Sequence, residues 1–447
     1  MLAYRVLGFL PWAVGAFMAI ACTSVRTPSL MSEDELVKRA RSIHERVISL
    51  DTHSDFSPRN FTPERNYSQR LESQLNLPKM FEGGLDAVFF SVYVSQTRES
   101  QNPEAFRPAG YERAYKAAID KFDAIHWLTR EVAPDKIELA LTSAEVRRIK
   151  AKGKKIALIG VENGYPIGEE IKRVKEFYDR GARYMSLAHN GHNQLSDSHV
   201  GERDGWKWQG LSPLGRQVIA EMNRVGLMVD VSHPSKASML QSVALSKAPI
   251  IASHSAIRAL CDVSRNMDDE QLLALKKSGG VVQVVAYSSF IKAPKPDSSD
   301  RKAALTALRK EFKIEELTTT GQGVTAGAGT QNALARLEPG QRSNYERKLA
   351  EIDKQFPGDP PATVKEFVDH IDYAVKLIGI DHVGIASDFE GGGGVKGWND
   401  ASETFNVTLE LVRRGYSEED IGKLWGGNLL RVMDDVQRIA RDLQPDK

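Results

Sequence analysis

In the stretch "SLDTHSDF", His53 and Asp55 stand two residues apart where an apolar run ends. Strand geometry of period two turns both side chains to the same side. Four further residues of the same kind close other apolar runs: Glu162 in "GVENG", His233 in "DVSHPS", His254 in "ASHSA" and Asp388 in "ASDFE". Imidazole and carboxylate are the ligands that zinc and similar borderline cations prefer. The set is too large for one tetrahedral centre and points to two ions, with a carboxylate such as Glu162 able to bridge them. Two ions roughly 3.5 to 4 Å apart can hold a hydroxide and polarise a carbonyl, which is hydrolytic chemistry. Any one of these histidines alone reads as a satisfied polar residue. Their coincidence at strand ends carries the metal reading. His44, His126, His199, His370 and His382 have no comparable setting and read as structural or exposed.

Positioning such a set requires strands that end on one rim. Eight apolar runs meet the requirement, at 47–56, 86–94, 155–164, 182–190, 226–235, 249–256, 280–287 and 382–390, with helical stretches between them. Alternation of this kind predicts a parallel α/β architecture. Eight strands suggest a closed (β/α)8 TIM-like barrel of the metal-dependent hydrolase type, whose sites lie at the C-terminal strand ends. An open doubly wound sheet is the alternative. The catalytic domain is expected over 33–440, entered through a helix with a Ser32/Glu35 capping box. Residues 291–362 exceed a minimal barrel and form an insertion between strands seven and eight. It holds two charged helical stretches, "DRKAALTALRKEFKIEEL" and "SNYERKLAEIDKQF", around a small-residue tract. A solvated excursion is one reading of it; a lid or contact surface is the other.

The chain of 447 residues is 41% hydrophobic with a formal charge of +1, enough to bury one large core or two modest ones. No basic block nominates a nucleic acid, so a small-molecule substrate is expected. Residues 1–21 read as an export signal, an apolar stretch closing in "AIAC". The favoured reading is a lipoprotein signal cut before Cys22, which then carries lipid and ties the protein to a membrane. An ordinary cleavage site and a retained anchor are the alternatives. Residues 22–32 form a linker, and the expected location is the periplasm or cell envelope. Cys261 is the only other cysteine, so no disulfide framework is available.

"DTHSDF", "GVENG", "RYMSLAHNGHNQLSDS", "VDVSHPSKASM", "PIIASHSAIRALCDVSRNMDDEQLLALKKSGGVVQV", "HIDYAVKLIGIDHVGIASDFEG" and "LWGGNLLRVM" together resemble the membrane (renal) dipeptidase family of dinuclear zinc peptidases. The H-x-D start separates the chain from amidohydrolases that begin H-x-H. The resemblance implies two zinc ions per chain, one held by His53 and Asp55, the other by His233 and His254, with Glu162 between them. It implies that His189 contacts the scissile carbonyl, Arg265 binds the terminal carboxylate of a dipeptide, and Asp388 handles protons. A homodimer is an assembly this reading allows. Two departures stand out: "ENGY" replaces the commoner E-G-G-H, and "HNGHNQLSD" replaces H-N-C-N-N-P-W-A-D. Both are expected to fall on the pocket wall and to bear on substrate preference. A hydrolase of another small amide or lactone, and an inactive barrel acting as a binding lipoprotein, are the competing functions.

Overall fold

The structure, a computed structural model, describes residues 32–314 and 337–444. One parallel sheet runs through β1 (Leu50–Ser54), β2 (Ala87–Tyr93), β3 (Ile137–Leu139), β4 (Lys155–Glu162), β5 (Ala182–Ser186), β6 (Met228–Asp230), β7 (Ile251–Ser255), β8 (Val281–Val285) and β9 (Val383–Ala386). With β3 set aside, neighbours in the sheet are neighbours in the chain. The two ends of the sheet then meet. Asp388 N–H donates to the His53 carbonyl at 3.0 Å, and Asp55 N–H donates to the Phe389 carbonyl at 2.8 Å. Sequential order and this seam make a (β/α)8 barrel and exclude the doubly wound sheet.

β3 is the element that the apolar runs do not announce. It pairs with the first residues of β4, Ile137 opposite Lys155, and β5 takes over as the partner from Ile159 onward. Three residues carry too little periodicity to be read from sequence.

The helices begin and end on local signals. Pro213–Val225 opens on Ser212, whose hydroxyl accepts from Gly215 N–H, and closes on Gly226 at φ 88°. Val364–Ile378 starts with a Thr363/Glu366 capping box. Glu33–Arg46 starts with the expected Ser32/Glu35 box, and it docks through Arg41, stacked 3.6 Å from the centre of the Phe405 ring.

The insertion between β8 and β9 contains the helices Ser299–Glu311 and Pro339–Gln355. Leu308, Ile314 and Tyr345 form a small apolar cluster of their own between them. Polar contacts tie its ends to the barrel, with Ala362 N–H donating to Ser288 Oγ at 2.8 Å. The small-residue tract lies outside the described residues. So do the export signal, Cys22 and the rest of the linker up to residue 31. Among the described residues no helix is long and apolar enough to cross a membrane.

Candidate metal centre and active site

Five side chains from four strand ends converge on one buried point. β1 supplies His53 and leads into Asp55, β4 ends on Glu162, the turn after β6 supplies His233, and β7 supplies His254. Glu162 is the hub. Its Oε1 lies 2.9 Å from His233 Nε2 and 3.5 Å from His254 Nε2, while Oε2 lies 3.3 Å from His53 Nε2. The donor atoms of His53, Asp55 and Glu162 all lie within 4.8 Å of one another, as do those of Glu162, His233 and His254. Two donor groups therefore share one carboxylate, and the donor atoms of His53, His254 and Asp388 form a third group that overlaps both.

Hydrogen bonds behind the rings set the protonated nitrogen of His53 and His254. Ser253 Oγ donates to Asp230 at 2.7 Å, so it can only accept from His254 Nδ1, 2.8 Å away. Tyr184 OH donates to the Thr52 carbonyl at 3.2 Å and accepts from His53 Nδ1 at 2.8 Å. His233 Nδ1 faces Asn190 Oδ1 at 3.0 Å. With Nδ1 of His53 and His254 carrying hydrogen, their Nε2 lone pairs point inward, and His233 Nε2, facing Glu162, stands only 3.0 Å from that of His254. A contact between two such lone pairs needs a proton or a metal ion between the nitrogens. His53 Nε2 and Asp55 Oδ1, both buried, lack any hydrogen-bond partner among the described residues. The donor set thus fits divalent metal of the kind imidazole and carboxylate favour.

The electrostatics are compatible with it. Burial holds His233 and His254 well below the ordinary imidazole value, so both are neutral donors. Burial also opposes charge on His53, but Glu162, Asp388 and Asp55 outweigh it and push that imidazole up to about 10. The carboxylates require positive charge at His53 Nε2, which either a proton or a metal ion provides. Burial raises Asp55 to about 6.

The other expected residues surround this point. His189 Nε2 is 3.5 Å from Glu162 Oε1, and burial pushes His189 down to about 4, leaving it neutral. Asp388 Oδ1 is 3.9 Å from His53 Nε2; burial, with the charges of Asp55 and Glu162, drives its carboxyl well above the usual range. Its backbone is held at φ 58°, an uncommon conformation for a residue with a side chain. Arg265 is buried, and burial lowers it to about 10. Its Nη1 donates to Ser232 O and Ser255 Oγ, and Nη2 to His254 O at 2.8 Å. Nε and one Nη2 hydrogen are left for a ligand. These residues, with Asn190, Tyr287, Phe290 and Gly391, line a single pocket.

One expectation fails. Asn163 and Tyr165 do not line the pocket. The chain turns at Asn163, φ 77°, immediately after Glu162. The Asn163 amide then bonds Val94 O and Gln96 Oε1, and Tyr165 OH reaches Ala105 O at 2.5 Å. These residues pack the loop behind the site. Other residues carry more of the site than their sequence setting announces. Tyr184 and Ser253 reach the ligands from within strands, and Gly160 makes room for the Tyr184 ring, which any Cβ there would approach to 2.0 Å. Gly391 keeps open the space beside the acids, since a Cβ there would come within 2.3 Å of Asp388 Oδ1 and 2.7 Å of Asp55 Oδ2. The glycine run "GGGG" is the one sequence signal for it. His199 is buried as a structural residue, yet its Nε2 meets the same Asn190 oxygen as His233.

Comparison with known proteins agrees with this geometry. Residues 37–447 match the membrane dipeptidase family, Peptidase family M19. The dipeptidase aclJ of Aspergillus oryzae is 29% identical over 444 residues, covering 96% of this chain and 88% of that protein. The probable dipeptidase PvdM from Pseudomonas aeruginosa superposes with a TM-score of 0.72 at 33% identity, over 91% of this chain and 99% of its own. A metallopeptidase from Rhodobacter sphaeroides, solved with a phosphinate mimic of the dipeptide L-Ala-D-Ala, shares the fold at TM-score 0.63 and 22% identity, over 87% and 99% of the two chains. A family match across almost the whole chain, on a barrel whose rim gathers these donors, places the protein in the membrane dipeptidase family M19.

Proposed function

We propose that the protein is a two-metal dipeptidase that adds water across the peptide bond of a dipeptide. The observation that carries this reading is the cluster of three imidazole Nε2 atoms around Glu162, 2.9 to 3.5 Å from its oxygens. His53 and Asp55 would hold one ion, His233 and His254 the other, and Glu162 both; zinc is the metal proposed. Ions bound there would polarise the scissile carbonyl and acidify water.

The side chains do the remaining work. His189, neutral and beside Glu162 Oε1, donates a hydrogen bond to the carbonyl oxygen as charge develops on it. Asp388 takes a proton from the attacking water and delivers it to the departing amine as the C–N bond breaks, general acid-base work for a carboxyl on the pocket wall beside His53. Arg265 offers Nε and its free Nη2 hydrogen to the substrate carboxylate. Its contacts to Ser232 O and His254 O also brace the two segments that bear His233 and His254. The pocket is small and lined by Tyr287 and Phe290, which suits one residue beyond the scissile bond. Export through residues 1–21 and lipid on Cys22 are part of the proposal, supported by the apolar stretch that closes in "AIAC". Mass spectrometry of the mature N-terminus checks that part.

The test of function is hydrolysis of a dipeptide library, with amidated dipeptides and small amides and lactones beside it, by zinc-loaded protein. Cleavage of free dipeptides and sparing of their amides is expected. Equal cleavage of both, or turnover of lactones alone, contradicts the proposal.

A further inference from the structure

We infer that Asn190 contacts substrate directly, presenting its side-chain NH2 to an acceptor oxygen of the substrate while its carbonyl oxygen is held by two imidazoles. The inference rests on the dipeptidase reading and extends it to a residue with no assigned role. Asn190 follows His189 in the loop after β5 and lines the pocket with His189, His233 and Arg265. Its Oδ1 lies 3.0 Å from His233 Nδ1 and 2.9 Å from His199 Nε2.

The orientation of the amide follows from the metal site. If His233 directs Nε2 toward Glu162 and a metal, its Nδ1 bears the hydrogen and must donate, so the Asn190 atom facing it is the oxygen. His199 is compatible, because Ser264 Oγ can donate to its Nδ1 at 2.9 Å and leave Nε2–H to donate to the same oxygen. Two imidazoles thus saturate one side of the amide. The NH2 is turned away from them and has no partner among the described residues. A fixed, unengaged donor on the wall of a pocket, next to the residue proposed to meet the scissile carbonyl, is suited to a carbonyl or carboxylate oxygen. The oxygen side positions His233; the nitrogen side reads substrate.

Two substitutions separate these roles. Asn190→Asp keeps the shape and the acceptor that both imidazoles need, but replaces the NH2 with oxygen. Asn190→Leu removes both. The inference predicts that N190D retains the parent's zinc content and the Nδ1–H form of His233 by 15N NMR. Its KM for a dipeptide should rise about ten- to a hundredfold, the scale of one lost hydrogen bond to a charged or strongly polar group. Binding of a phosphinate dipeptide analogue, measured by calorimetry, should weaken by a similar factor. The effect should persist at high salt, where a purely long-range repulsion is screened. N190L should in addition lose zinc from one of the two sites. An N190D protein with the parent's KM and phosphinate affinity, or one whose defect vanishes in high salt, overturns the inference while the parent's dipeptidase activity stands. A parent that cleaves no dipeptide and binds no phosphinate overturns the dipeptidase reading and this inference together.

Discussion

The two donor groups that share Glu162 are supported in different ways. His53 and Asp55 sit on the seam where the barrel closes, and their backbones make the closing hydrogen bonds to Asp388 and Phe389. Their side chains keep unpartnered atoms, His53 Nε2 and Asp55 Oδ1. His233 and His254 are braced by neighbours instead: Asn190 behind one, Ser253 and Asp230 behind the other, and the Arg265 guanidinium bound to the adjacent carbonyls. The first group depends on barrel closure and on the Tyr184 hydroxyl behind His53, the second on a wider local network of side chains. The difference teaches that one carboxylate can join an acid-rich site to an imidazole-rich site whose supports differ, even though the His53 and His254 rings stack 3.7 Å apart across the junction.

Removing the shared residue should erase the distinction. Glu162→Gln is expected to cost both ions and to lower kcat/KM by about 10³ or more, measured by elemental analysis and dipeptide turnover. Loss of one ion alone would show that the groups are joined through something else. Asp388→Asn comes next. Its kcat should fall by about 10² to 10⁴, the range for a general acid-base residue, with metal content close to the parent's; loss of the ion beside His53 would make Asp388 a ligand.

Arg265→Ala should lower kcat/KM on free dipeptides about ten- to a hundredfold, for loss of a charge-assisted contact. Because Arg265 also bonds Ser232 O and His254 O, weaker metal binding is expected at the His233/His254 site and not at the other. The smallest effects should sharpen the contrast most. Ser253→Ala should weaken the His233/His254 ion about ten- to a hundredfold, and Tyr184→Phe should do the same only for the ion at His53 and Asp55. Competitive titration with a chelator reads both. Cross-effects of equal size would mean that the two supports are not independent.

The proposed ligands were legible in the sequence because each is an imidazole or carboxylate at or just past the end of a buried run, and a barrel brings all such ends to one rim. The sequence also revealed the helix starts through their caps, as at Ser32 and Ser212. It was silent about Tyr184 and Ser253, whose partners lie on other strands or were masked by their apolar surroundings; Tyr184 is 131 residues from His53. No local spacing encodes such a pair. Asn163 misled because sequence adjacency to Glu162 says nothing of direction once the backbone enters the left-handed region. The insertion is legible as two charged helices, although the first ends at Glu311, earlier than the run "KEFKIEEL" suggests, with Lys313 at φ 55° breaking it.

The most direct test is the number of ions bound per chain, by elemental analysis of protein purified without chelator, for the parent and for Glu162→Gln. A dinuclear centre joined by Glu162 predicts two in the parent and fewer than one in the variant. One ion or none in the parent, or two retained in the variant, would contradict it.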